Sequence, residues 1–135
     1  MHGLIFFYIR KFADLLAINA TSPVGPHSPV AASAANYLPS GVYPDEDAIA
    51  LLREIAATNG NPLPDLIGSF GEFLAPHLVK IAAATIDPSW RTLDLIEHTE
   101  SLIHTMVRAD KPGASPPVLE ALRAAPDELH LVYSS

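Results

Sequence analysis

The chain carries six histidines and no cysteine. His2, His27, His77, His98, His104 and His130 form neither an HExxH helix nor a pair at i, i+4, the spacings that hold zinc on one helix face. The lack of Cys removes thiolate zinc sites, thiol nucleophiles, disulfide frameworks and thiolate-ligated haem together. One histidine chemistry survives this sorting: a single helix-borne imidazole in an apolar setting can be the sole protein ligand of a haem iron. His77, His98 and His104 are the candidates, because each falls inside a helical pattern.

Periodicity leaves the three open. His77 shares a face with Phe70, Phe73, Leu74 and Ile81, the setting of an ordinary core histidine. His98 neighbours Leu95 and Leu102, whereas His104 neighbours Glu97, Glu100, Val107 and Arg108 in helical space. Other chemistries have less support. Gly68 and Gly71 sit inside a helical pattern and no P-loop occurs; no serine stands in a nucleophile elbow; Glu97 with Glu100 reads as a solvated face. The chain is not expected to be an enzyme.

The elements that must position these groups read mostly as helices. Residues 3–17 place Ile5, Tyr8, Ile9, Phe12, Leu15 and Leu16 on one stripe, which predicts an amphipathic helix. Pro23, Pro26, Pro29, Pro39 and Pro44 predict an irregular Pro/Ala/Ser-rich loop over about 18–44. Asp45, Glu46 and Asp47 open a helix over about 46–58, and Gly60 stops it. Pro62 and Pro64 suit the first turn of a third helix, with Pro76 expected to kink or split it. A fourth helix is predicted from about Arg91 to Ala109, then a short one around Val118 to Ala124, then a strand at 129–134. A strand by itself leaves its backbone groups unpaired, so the sheet reads as unfinished.

Composition bounds the class. With 135 residues, 49% hydrophobic and 17% charged, the chain has material for one compact domain with its own core. A net charge of -7 argues against nucleic acid or anionic membrane as partner, since both need clustered Lys and Arg. The apolar run Leu4 to Ile9 is followed, not preceded, by Arg10 and Lys11, and it is far short of the ~20 residues of a membrane span. It reads as the first helix of a cytoplasmic protein.

A resemblance chooses among the histidines. The run LDLIEHTESLIHTMVRADKPGASPP, residues 93–117, resembles the proximal segment of the haem nitric oxide/oxygen binding (H-NOX, HNOB) family, with His104 twelve positions before Pro116. Three further pieces agree in the same order. Met1-x-Gly3-x-Ile5 resembles the opening helix, residues 41–74 resemble the helical middle, and Tyr133-Ser134-Ser135 resembles the start of a Tyr-x-Ser-x-Arg signature.

The resemblance implies an α+β fold over residues 1–135: a mostly helical N-terminal part, then the start of an antiparallel sheet region. It implies haem b (iron protoporphyrin IX) with His104 as proximal ligand, Tyr133 and Ser135 on the propionates, Pro117 pressing on the porphyrin, and Ile5, Ile9 and Leu74 on the distal side. That distal wall is apolar, so nitric oxide is the expected ligand, CO a further one, and O2 is disfavoured. The implied role is a bacterial gas sensor that signals to a separate histidine kinase or cyclic-di-nucleotide enzyme.

Two departures from the family pattern stand out. The chain stops at Ser135, before the signature's Arg and the C-terminal strands and helix, so the domain reads as C-terminally truncated; and 18–40 has prolines where the family has a helix. These departures sustain an alternative from another class, a haem-free truncated helical interaction module.

Overall fold

The structure, a computed structural model, describes residues 2–19, 37–105 and 118–134. Most of the proline-rich stretch, together with Pro117 and Ser135, lies outside the described residues. The chain divides into two compact units, Met1–His77 and Leu78–Ser135.

The first unit is helical. Helix α1 (Gly3–Asn19) begins where the His2 ring accepts the Leu4 backbone N–H on Nδ1 at 3.1 Å, a side-chain cap on an otherwise unpaired donor. Helix α2 (Asp45–Asn59) has Asp45, Glu46 and Asp47 in its first turn, where the helix dipole favours negative charge. It ends at Gly60, whose φ of 68° is the left-handed conformation that lets its N–H turn back onto the last carbonyls. Helix α3 (Leu63–Ile81) runs through Pro76 without splitting, contrary to one of the two expectations for that residue.

The helices close over an apolar core. Phe6, Ile9, Ile55 and Leu66 are fully buried, each contributing about 1.5–3 kcal/mol of burial. Aromatic rings tie the helices to the segment between α1 and α2: Phe6 stacks on Tyr37 at 4.2 Å and meets the edge of Tyr43 at 5.3 Å. That segment is drawn onto α1 by an isolated bridge between His2 and Val42 and by the Gly3 N–H donating to the Gly41 carbonyl at 2.8 Å.

The second unit holds helix α4 (Thr92–His98), a π-helical turn (Thr99–His104) and an antiparallel hairpin of strands β1 (Val118–Ala125) and β2 (Glu128–Ser134). Two expectations are corrected here. The predicted short helix at Val118 to Ala124 is strand β1, which supplies the missing partner of β2, with Leu119 opposite Tyr133. The helix predicted from about Arg91 to Ala109 is α-helical over Thr92–His98, widens into the π turn, where the Thr105 N–H reaches back five residues to the Glu100 carbonyl, and is α-helical again at Thr105, with 106–109 outside the described residues. Helix α4 and the π turn both pack on β1. The fold is α+β, as expected.

Candidate functional site

His104 ends the π turn, and its Nδ1 lies 2.9 Å from Oε2 of Glu100. A carboxylate only accepts, so Nδ1 carries the proton and donates it. The same Oε2 accepts the Leu119 backbone N–H at 3.1 Å, so one oxygen ties the imidazole to strand β1. The pair is sheltered, with 16% of the His104 side chain and 23% of the Glu100 side chain exposed.

The rival histidines have structural roles. His77 stacks on Tyr8 at 4.8 Å and meets Phe73 edge-on at 5.0 Å, a member of the aromatic cluster of the first unit. His98 donates Nδ1–H to the Asp94 carbonyl at 2.8 Å while its ring lies flat on Trp90 at 4.3 Å.

The remaining expected site residues divide between the units. Ile9 is fully buried in the core of the first unit, and Ile5 and Leu74 pack half-buried against that core. Tyr133 stands on β2 with 62% of its surface exposed. Pro117 and Ser135 fall outside the described residues.

A charged cluster that sequence reading left out braces the second unit. Arg123 points inward from β1, its Nη2 donating to Asp94 Oδ1 at 2.6 Å and to Glu97 Oε2 at 2.8 Å. Bonding to Glu97 raises the Arg123 pKa further above its ordinary value, while the Arg91 N–H and then Arg123 lower that of Asp94. A cleft of about 480 Å³ opens beside this cluster, lined by Arg91, Thr92, Leu93, Asp94, Arg123, Pro126 and Asp127. None of the expected site residues lines it.

The donor chemistry at His104 fits an imidazole-held haem. A histidine that ligates iron through one nitrogen usually donates its other N–H to a carboxylate or carbonyl, which fixes its tautomer and orientation, and Glu100 supplies that acceptor.

Residues 28–135 match the haem-NO-binding (HNOB) family. The chain belongs to this family. It is a family of haem-based gas sensors, whose domains are generally not enzymes. Solved H-NOX structures share the fold. The Fe(II) unliganded H-NOX protein from K. algicida superposes with a TM-score of 0.74 at 18% identity, covering 100% of this chain and 73% of that one. The S. oneidensis H-NOX protein in the Fe(II)NO ligation state gives a TM-score of 0.71 at 20% identity, covering 100% of this chain and 74% of that one. No curated protein matches the chain. Among the described residues, no helix is long and apolar enough to cross a membrane.

Proposed function

We propose that residues 1–135 act as one haem-binding domain that senses nitric oxide through a haem b held by His104. The observation that carries this reading is the Glu100-bonded imidazole in the segment that resembles the family's proximal helix. When bound, the haem supplies a ferrous centre whose choice among gases follows the polarity of its surroundings. His104 holds it through Nε2, with Nδ1 committed to Glu100. By the family resemblance Ile5, Ile9 and Leu74 fall at distal positions, and their side chains are apolar and carry no hydrogen-bond donor, which would favour NO, and CO after it, over O2. By the same resemblance Tyr133 and Ser135 would hold the haem propionates and Pro117 would bear on the porphyrin. The output goes to a separate protein in the bacterial cytoplasm, a histidine kinase or a cyclic-di-nucleotide enzyme.

The test is an absorption spectrum of the full chain reconstituted with haem, reduced without oxygen and then given NO. A high-spin His-ligated Soret band that shifts on NO addition is expected. His104→Gly should lose this band and regain it with added imidazole. No stoichiometric haem uptake, or an unchanged spectrum in His104→Gly without imidazole, refutes the reading.

One observation favours a second reading. The outward face of the hairpin exposes Leu122 at 68% and Val132 at 56%, apolar side chains suited to contact with another chain. A colourless protein that self-associates or holds a partner would support a haem-free interaction module instead.

A further inference from the structure

We infer that Glu100 is the positioning residue of the iron ligand: its carboxylate fixes the tautomer and orientation of His104 and fastens the ring to strand β1. This rests on the reading of His104 as the ligand and adds to it the group that tunes that ligand. Sequence alone reads Glu100 as a solvated surface acid.

The geometry gives Glu100 two anchors of its own. Its main-chain carbonyl accepts from Thr105 twice, through the backbone N–H and through Oγ1 at 3.0 Å. Its side chain accepts from both His104 Nδ1, at 2.9 Å, and the Leu119 N–H, at 3.1 Å. A carboxylate held at both ends loses little rotamer freedom when the imidazole docks on it, so its aim is built in before any cofactor arrives. The π turn belongs to this arrangement, because the Thr105 contact that pins the Glu100 carbonyl spans five residues rather than four.

The charge matters as well as the aim. An ionised acceptor on Nδ1–H makes the opposite ring nitrogen a stronger electron donor, more than a neutral acceptor would. With both partners sheltered, water screens this effect only partly. The result is a tighter iron–imidazole bond and a more negative haem potential than a neutral partner would give. Leu119 faces Tyr133 across the hairpin, so the same carboxylate connects the ligand to the strand pair that carries a proposed propionate contact.

The experiment compares wild type, Glu100→Gln and Glu100→Ala in the full chain. In haem-free protein, ring 15N spectra should find His104 protonated on Nδ1, with that signature weakened in Glu100→Gln and lost in Glu100→Ala. In the haem-loaded ferrous protein, the iron–histidine stretch in resonance Raman should move to lower wavenumber from wild type to Gln to Ala. Haem loss should quicken by about tenfold to a hundredfold in Glu100→Ala. An unchanged stretch in both variants, with His104 established as the ligand by His104→Gly, overturns this inference alone. A wild-type spectrum in His104→Gly overturns it together with the functional reading. The ring nitrogens need no haem, so an Nδ1 proton indifferent to residue 100 overturns the inference even in a chain that takes up none.

Discussion

Replacing Gly3 by Ala sets helix propensity against packing, and the structure decides the sign. An Ala in a helix gains up to about 1 kcal/mol over Gly. At Gly3 an added Cβ would strike the Leu38 carbonyl oxygen and press on the Gly41 carbonyl oxygen at 3.1 Å, and both are backbone rather than yielding side-chain atoms. The turn at 38–41 would have to move. Its Leu38 oxygen accepts the Gly41 N–H at 2.9 Å and its Gly41 oxygen accepts the Gly3 N–H at 2.8 Å, so the shift also strains two hydrogen bonds. Overpacking costs about 1–3 kcal/mol and each weakened bond up to about 1 kcal/mol. Against the propensity gain, the net is a loss of about 2 kcal/mol. In urea, with a slope of about 2 kcal/mol per molar, the midpoint should fall by about 1 M. Gly71 provides the control, since a Cβ there meets nothing within 4 Å in the exposed face of α3. Gly71→Ala should raise the midpoint, by up to about 1 kcal/mol in free energy. A Gly3→Ala protein as stable as wild type, or a Gly71→Ala protein less stable, would refute the steric argument.

Other perturbations test separate parts of the molecule. Ile55 is 1% exposed in the core of the first unit, so Ile55→Ala should cost about 2–5 kcal/mol by calorimetry or denaturant; a loss below 1 kcal/mol would contradict a closed core. Asp94 has its pKa lowered by the Arg91 N–H and then by Arg123, so its support for the α4–hairpin contact is complete above the unfolded carboxylate value of about 4. That support is lost only as pH falls through the still lower folded value. The Asp94 side-chain carboxyl 13C resonance should therefore hold steady from neutral pH to about 4 and move below it, and a midpoint above 4 would sink the assignment.

Local signals carried furthest from sequence to structure. The acidic triplet at Asp45 and the Gly60 stop define α2 because capping and dipole effects act within one turn, and the observed helix extends the expected one by a residue at each end. Strand β1 escaped for the opposite reason. Its sequence VLEALRAA is made largely of helix formers, while its burial alternates residue by residue and puts Arg123 on the inward side. A hydrophobicity scan counts that Arg as outward, but here it faces the carboxylates of Asp94 and Glu97, a contact 26 to 29 residues away in sequence. The π turn was illegible too, since nothing in the residue types marks where one extra residue enters a helical turn. His104 and its candidate role came from the order of matched segments rather than from periodicity, and Glu100 could have been flagged by its place four residues before that histidine.

Trp90, the chain's one tryptophan, lies in the second unit with its indole flat on His98. Its emission therefore follows that unit, whereas helical circular dichroism is dominated by α1, α2 and α3, most of which lie in the first. A single thermal scan with both detectors becomes a measure of cooperativity: superimposable curves mean that the chain melts all-or-none, and separated curves mean that one unit outlives the other.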